Sequence, residues 1–165
     1  MSDLGNLGVD ELFALARASE EPDAYWACVT ELHRRGGDRA FALGEVLCDS
    51  ILPGERCLGA DVLGQLQGAT GDARPVLRRL LDEGDQPAVL AAAVAALGFL
   101  HDAQALDRVE ALASHEEEGV RFAAVNALMR IDPERTIALL TELAAQRDGE
   151  LGAWAEHALA QLRGS

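Results

Sequence analysis

Apolar residues recur in one helical pattern several times along the chain. Four segments carry it: ERCLGADVLGQL from Glu55, VLAAAVAALGFL from Val89, VRFAAVNALMRI from Val120 and LGAWAEHALAQL from Leu151. Their second residues are 34, 31 and 31 positions apart, and a further step of 31 leads back to Tyr25 in DAYWACVTELHRR. A fixed period in this range is typical of repeat architectures. The sequence therefore predicts five copies of one helix.

A second apolar pattern lies between these copies. It consists of triads at intervals of three residues, which place their members on one side of a helix. The triads are Leu106, Val109 and Leu112 in one repeat and Ile137, Leu140 and Leu143 in the next. Each repeat is therefore predicted to be a pair of helices, a first (A) helix followed by a second (B) helix.

Aspartate and proline mark where the A helices begin. The carboxylate of an aspartate can accept the free amide hydrogens of a first turn, and a proline inside that turn lacks an N–H that the helix does not need. The aspartates are Asp38, Asp72, Asp102 and Asp132, and the prolines are Pro75 and Pro133. We predict helices over 9–18, 23–35, 38–49, 54–67, 74–83, 87–100, 103–114, 118–131, 134–147 and 150–163.

These helices form one predicted domain, residues 1–165. Its repeats are 9–35, 38–67, 72–100, 102–131 and 132–163. A single hairpin cannot cover its own apolar face, so neighbouring hairpins must stack and share a continuous core. The inward residues expected in the fourth B helix are Ala124, Ala127, Leu128 and Ile131. No strand is predicted.

At two segments the chain resembles a known family. VRFAAVNALMRID and the earlier HDAQAL are similar to the repeat of HEAT proteins, especially the bacterial group named after phycobilisome lyases. The first repeat matches least, because Glu31 stands where Val62, Ala96 and Ala127 stand in other copies. The resemblance implies an all-α fold, a right-handed α-α superhelical solenoid of about five HEAT-like hairpins. It implies function weakly, since the family includes scaffolds, adaptors, lyases and DNA-repair enzymes.

In such repeats the B helices line the concave side, and their outward row is the predicted binding surface. Aromatic and arginine side chains mixed with small polar ones favour the centre of an interface. The predicted partner-binding residues are Trp26, Thr30, Arg34, Leu58, Asp61, Gln65, Phe99, Phe122, Asn126, Arg130, Trp154, His157 and Gln161. A competing interpretation is that Trp26 and Trp154, in the terminal repeats, cover the open ends of the core.

Charge narrows the class of partner. The chain has 28 acidic and 14 basic residues, a formal charge of −14, and no lysine. Such a surface repels phosphate backbones and anionic lipids, which argues against nucleic acid and membrane partners and favours a protein or peptide, in particular a basic one. The absence of lysine also excludes a Schiff-base or P-loop lysine.

The cysteines and the apolar runs bear on location. Cys28, Cys48 and Cys57 form no CxxC pair, which favours reduced thiols. The N-terminal sequence lacks a basic leader, and the longest apolar run, from Pro87 to Leu100, is too short to span a bilayer. We therefore expect a cytoplasmic protein.

The sequence offers little catalytic chemistry. Arg56 and Arg121 are expected to bridge loops of neighbouring repeats, and the run from His115 to Glu118 lacks the HExxH spacing and is expected to be a solvated loop. The other histidines have no serine or cysteine at a matching position. No enzyme activity, cofactor or metal is predicted.

Three hypotheses follow. The first is a non-catalytic interaction module, a scaffold or adaptor that binds its partner on the concave face. The second is an accessory or lyase-like subunit that assists modification of a partner protein. The third is a weak homodimer instead of a monomer, formed through an uncovered end of the array at Leu151, Ala155 and Leu159.

Overall fold

The computed structural model describes residues 4–83, 86–145 and 149–163. Within these residues it contains helices and no strand. The helices are α1 (Val9–Ala18), α2 (Pro22–Arg35), α3 (Gly37–Cys48), α4 (Pro53–Leu63), α5 (Arg74–Glu83), α6 (Pro87–Phe99), α7 (Leu106–Leu112), α8 (Glu118–Ile131), α9 (Pro133–Ala145) and α10 (Gly149–Arg163). Short 3₁₀ turns lie at Leu4–Asn6 and Ala103–Ala105. The predicted end of the ninth helix, at residues 146 and 147, lies outside the described residues.

Consecutive helices pair as hairpins, so the odd-numbered helices are A helices and the even-numbered ones are B helices. The hairpins stack into the predicted all-α solenoid. Buried residues of α4 belong to both halves of the core: Leu58 and Val62 pack with α1 to α3, while Ala60 and Leu63 pack with α5 and α6. The core is therefore continuous across α4.

Three of the four predicted aspartate caps are confirmed. The Oδ1 atoms of Asp72, Asp102 and Asp132 accept backbone N–H groups two or three residues later, at 3.1, 3.2 and 3.0 Å. The prediction is wrong for Asp38, which lies inside α3 and accepts the N–H and the hydroxyl of Thr70, each at 2.9 Å. These bonds lower the pKa of Asp38. Asp38 therefore fastens α3 to the loop after α4.

A glycine pair explains why α3 begins without an aspartate cap. Gly36 and Gly37 have φ angles of 56° and 84°, a region that other residues rarely adopt. A Cβ on Gly36 would lie 1.5 Å from the carbonyl oxygen of Gln67, which accepts the Gly37 N–H at 2.9 Å. The turn between α2 and α3 is thus fixed by backbone geometry.

The predicted inward residues of α8 are confirmed, but one member of the predicted apolar triad of α9 is not buried. Ala124, Ala127 and Leu128 are buried and Ile131 is half-buried. Ile137, however, is 43% exposed, so its place in the apolar triad of α9 is wrong. Thr136 takes the inward position instead. Its hydroxyl donates to the Asp132 carbonyl oxygen at 2.7 Å, which allows this polar side chain to be buried.

Glycines bring the middle B helices into direct backbone contact. A Cβ on Gly64, at the end of α4, would lie 2.7 Å from the Cα of Ala96 in α6, and one on Gly98 would lie 2.6 Å from the Cα of Ala127 in α8. The neighbouring A helices approach one another less closely. Across α4, α6 and α8 the stack is therefore tighter on the side of the B helices, the side that is expected to be concave in such repeats.

The last hairpin departs from this packing. Met129 occupies the repeat position held by Gly64 and Gly98, and a methionine side chain does not permit the same approach. The final B helix, α10, packs on α9 and barely approaches α8. We call the resulting gap the α8–α10 cleft.

The residues expected to form an uncovered end of the array are covered within the chain. Ala155 and Leu159 are buried and Leu151 is half-buried, all in the core cluster that includes Leu140 and Leu143 of α9. The prediction of an exposed apolar end at these three residues is therefore wrong, because α10 turns that face toward α9. The basis for expecting a homodimer there disappears.

The opposite end of the array is closed by a polar clamp. The Oε atoms of Glu31 accept from the guanidinium groups of Arg34 and Arg35, and Arg35 donates in turn to the carbonyl oxygens of Leu4 and Leu7. These contacts hold the segment before α1 against α2. They also explain the unusual glutamate of the first repeat: in α4, α6 and α8 this position is buried, whereas here its carboxylate fastens the N-terminal segment.

Candidate interaction surface

Twelve of the thirteen predicted binding residues lie on the five B helices. The exception is Gln65, which lies in the turn after α4, because that helix ends at Leu63 and not at the predicted residue 67. All but one of the thirteen residues of this row are exposed or half-buried. Three aromatic rings stand out: Trp26 is 49% exposed, Phe99 37% and Phe122 60%. The remaining aromatic residues of the chain are buried or half-buried. The exposed aromatic rings of the described residues are therefore all in this row.

The prediction is wrong for Leu58. Its side chain is 1% exposed and packs with Cys28, Val29 and Leu32 in the N-terminal part of the core. Cys57, one residue earlier, is half-buried and lines the depression between α2, α4 and α6 instead. Successive residues of a helix point about 100° apart, so Leu58 points toward the core although Cys57, the residue before it, does not.

The N-terminal part of the concave face has an apolar floor. A shallow depression of about 490 Å³ lies between α2, α4 and α6. Its floor is made by four alanines of α6: Ala88, Ala91, Ala92 and Ala95. Trp26 stands at its wall, with its ring edge-to-face against Tyr25 at 5.3 Å between centroids. A ring so exposed adds little cover to the core, which α1 and the N-terminal 3₁₀ turn already close.

Asp61 holds this wall in position. Its Oδ2 accepts the Tyr25 hydroxyl at 2.6 Å, and its backbone oxygen accepts His33 Nε2–H at 2.7 Å. Burial raises the pKa values of both Asp61 and Tyr25. The carboxylate of Asp61 is thus engaged inside the chain, where it positions Tyr25, the residue against which the Trp26 ring packs.

Cys57 lies beside Asp61 in the same depression. Burial, with a contribution from the Asp61 charge, raises the pKa of the Cys57 thiol to about 11. A thiol with such a pKa is almost fully protonated at neutral pH, and the thiolate is the nucleophilic form. This geometry does not activate Cys57.

The middle of the face combines an aromatic ring with a cation. The guanidinium carbon of Arg130 lies 4.2 Å from the centroid of the Phe99 ring. His101 Nδ1–H donates to the Arg130 carbonyl oxygen at 2.7 Å, and His101 has a positive φ of 49°. The pair is therefore held between α6 and α8 as a fixed patch of the type favoured in interfaces.

The α8–α10 cleft forms the C-terminal part of the face and has a volume of about 200 Å³. Its apolar walls are Phe122, Val125, Trp154, Ala158 and Leu162. Its polar members are Glu118, Asn126, His157 and Gln161. The Nε2 atoms of His157 and Gln161 lie 2.8 Å apart. Predicted residues of α8 and α10 are thus brought together around one opening.

Arg121 supports the tryptophan wall of this cleft from below. It is 5% exposed, and its guanidinium carbon lies 5.6 Å from the centroid of the Trp154 ring. Its Nη1 donates to the carbonyl oxygens of His115 and Glu116 at 2.9 and 2.7 Å. The loop before α8 and the Trp154 ring are therefore tied to one buried cation.

The predicted bridging arginines behave differently from each other. Arg56 donates from α4 to Glu83 of α5 at 3.3 Å, which confirms a bridge between neighbouring repeats. Arg121 binds mainly backbone oxygens of the loop that precedes its own helix, while the nearest carboxylate oxygen, of Glu150, lies 3.9 Å away. The contact with Glu150, in the next repeat, agrees with the predicted bridge, and the loop carbonyl oxygens of His115 and Glu116 are additional partners of Arg121.

The edges of the concave face carry opposite charges. Acidic residues lie in the first turns of α2, α4, α8 and α10, including Asp23, Glu118 and Glu150, and arginines lie in the last turns of α2, α8 and α10, including Arg34 and Arg130. This distribution complements the helix dipoles. His115 Nδ1 accepts the Glu117 N–H at 3.0 Å, so the acidic run before α8 includes an ordered turn. In the described residues, no three His, Cys, Asp or Glu side chains are grouped closely enough to hold a metal ion.

None of the helices described here combines the length and the apolar character needed to cross a membrane.

Comparison with known proteins identifies the repeat. The family described as HEAT repeats matches residues 75–160, just over half of the chain. Among solved structures, the YibA protein of Escherichia coli is similar with a TM-score of 0.77 and 22% sequence identity, over 98% of this chain and 61% of that one. The chain thus spans about three fifths of the length of that protein, and the likeness concerns the fold. A search of curated proteins found no significant match.

Proposed function

Because the chain belongs to the HEAT-repeat family, we propose that it is a non-catalytic protein-interaction module, a scaffold or adaptor. It binds a protein or peptide on the concave face of its B helices. The observation that carries the proposal is the position of Trp26, Phe99 and Phe122, since these exposed rings all lie in the concave row. Large rigid rings bury much area for little loss of conformational entropy and dominate many interfaces.

The proposed partner is basic. A charge of −14 attracts a cationic partner at long range, and acidic residues at one edge of the face orient it. Two further expectations belong to the proposal: the chain is a member of the phycobilisome-lyase-like group of HEAT proteins, and it acts in a bacterial cytoplasm. The unpaired state of Cys28, Cys48 and Cys57 supports a reducing compartment.

We also propose that residues 1–165 act as one domain and as a monomer. The continuous core across α4 supports a single domain. The cover over Ala155 and Leu159 supports a monomer, because no apolar surface is left at these positions for a second copy.

A comparison of two triple variants tests the proposal. The concave variant changes Trp26, Phe122 and Trp154 to Ala. The control changes Val46, Ile51 and Ile137 to Ala, which are exposed aliphatic residues outside the concave row. Each tagged protein captures partners from an extract of its own organism, and mass spectrometry compares the recovered proteins.

We expect a partner that the wild type and the control recover and that the concave variant loses. Circular dichroism melting of all three proteins checks that they are folded. Unchanged recovery by a folded concave variant, or loss with the control alone, contradicts the proposed binding face.

A further inference from the structure

The α8–α10 cleft has the size of one side chain. Its volume is about 200 Å³, below the range of roughly 300 to 1,000 Å³ typical of pockets for small-molecule ligands. An apolar cavity of about 150 Å³ accommodates benzene. One aromatic ring therefore fits the cleft.

The walls of the cleft suit a ring. Phe122 and Trp154 face the opening from α8 and α10, so an inserted ring can make edge-to-face or offset contacts with both. Val125, Ala158 and Leu162 line the same space with aliphatic groups. Trp154 is backed by the buried Arg121, which fixes this wall before a partner arrives.

The mouth of the cleft is acidic. Glu118 lines it directly, and Glu116 and Glu117 precede it in the exposed loop. These three carboxylates form no ion pair with any described residue, in contrast to Glu31, which is held by two arginines. The buried Arg121 forms no ion pair with them either: its Nη1 donates to loop carbonyl oxygens, and the carboxylate oxygen near its guanidinium, at 3.9 Å, belongs to Glu150. A cationic side chain beside the inserted ring would meet uncompensated negative charge.

We propose that the α8–α10 cleft receives one aromatic side chain of a partner peptide that carries Lys or Arg within a few residues of it. This inference rests on the proposed function and adds the chemistry of the partner. Met129 stands at the repeat position of Gly64 and Gly98, the two glycines at which α4 approaches α6 and α6 approaches α8.

Selection from a displayed library of random twelve-residue peptides tests the inference, with the full chain as the immobilised target. We expect enriched peptides to carry Phe, Tyr or Trp with an Arg or Lys close by. Fluorescence polarisation then measures the affinity of an enriched peptide for defined variants. Ala158→Phe fills the cleft, and Ala160→Phe places the same ring on an exposed position of α10 outside it.

Ala158→Phe should weaken binding by about tenfold or more and Ala160→Phe by less than about twofold, as expected when a buried anchor is excluded. Phe122→Ser serves as a second variant that is easier to fold, since its ring is 60% exposed. It should also weaken binding. Replacing Glu116, Glu117 and Glu118 by Gln should weaken binding several-fold at low salt and reduce its dependence on salt.

Several results overturn the inference. They are a failure to enrich any peptide, enrichment of peptides without a ring and a neighbouring cation, and unchanged affinity in both Ala158→Phe and Phe122→Ser. If Trp26→Ala abolishes binding while the cleft variants do not, the proposed binding in the α8–α10 cleft is contradicted, whereas the proposed binding on the concave face is supported. If the aliphatic control variant alone abolishes binding, both the cleft and the proposed function fail.

Discussion

Arg121 shows how one buried side chain joins the fold to the candidate site. The guanidinium is 5% exposed and donates to two loop carbonyl oxygens beneath the Trp154 ring. Replacing it by Met removes these charged hydrogen bonds, and we expect a loss of about 3 kcal/mol of unfolding free energy. Urea denaturation at pH 7 measures this loss.

Arg108→Met is the matched control for that change. Arg108 is exposed and pairs with Asp82 at the surface, so its loss should cost about 0 to 1 kcal/mol. Equal losses for the two variants would contradict the structural role of Arg121.

The lowered pKa of Glu31 leads us to expect that the unfolding free energy depends on pH in a specific interval. Hydrogen bonds from Arg34 and Arg35 lower its pKa to about 2 in the folded chain, whereas an unfolded chain has a glutamate pKa of about 4.3. The stabilisation is therefore fully present above about pH 4.3 and is lost as pH falls toward 2. The difference in unfolding free energy between wild type and Glu31→Gln should shrink over this interval. A difference that stays constant from pH 6 to pH 2 would exclude this clamp.

At the scale of single residues, the sequence predicted the faces of most residues of the binding row correctly and failed at a few positions. Trp26, Phe122 and Arg130 lie where the repeat alignment put them because the B helices share one register. Leu58 and Ile137 did not follow their predicted faces. A one-position shift around a helix exchanges core and surface, and the apolar pattern alone does not fix that choice when neighbouring positions are both apolar or small.

Among the helices, the close approach of α6 and α8 depends on Gly98. An added Cβ would lie 2.6 Å from the Cα of Ala127, so Gly98→Ala should destabilise the chain by about 1 to 3 kcal/mol despite the better helix propensity of alanine. Thermal or urea unfolding measures the effect.

Gly119→Ala, in α8, is the control for Gly98→Ala, and we expect it to stabilise the chain instead of destabilising it. Gly119 lies in the first turn of α8, and a Cβ added there would meet only open space. Its replacement should stabilise the chain by up to about 0.5 kcal/mol. Stabilisation by both substitutions would show that α6 and α8 are not held in backbone contact.

The bounds of the helices were predictable because glycine and proline mark them. Pro22, Pro53 and Pro87 begin α2, α4 and α6, and most of the described helices begin and end close to the predicted limits. The exceptions are α4, which ends at Leu63 instead of residue 67, and α7, which begins at Leu106 instead of residue 103 because a 3₁₀ turn precedes it. The α8–α10 cleft was not predicted. The sequence does show that Met129 aligns with Gly64 and Gly98. Whether a gap follows from this difference depends on how closely the helix backbones approach, which only the structure shows.

For the whole molecule, two physical features connect the fold to binding. One is a stack in which α4, α6 and α8 close on one another at Gly64 and Gly98, whereas α10 barely approaches α8. The other is an acidic surface that gathers its exposed aromatic rings on the concave side. The covered ends could not be predicted from the repeat pattern, because the contacts of Arg35 and the orientation of α10 depend on the three-dimensional structure.

Photo-crosslinking from defined positions tests the central claim, that the concave face binds a protein partner. A photoreactive phenylalanine analogue replaces exposed residues one at a time, Thr30 or Asn126 on the concave face and Val46 or Ala138 on A helices. We predict that irradiation in cells joins the same partner to the chain from Thr30 and Asn126 and not from Val46 or Ala138. Crosslinks to a common partner from the A-helix positions alone would contradict the claim.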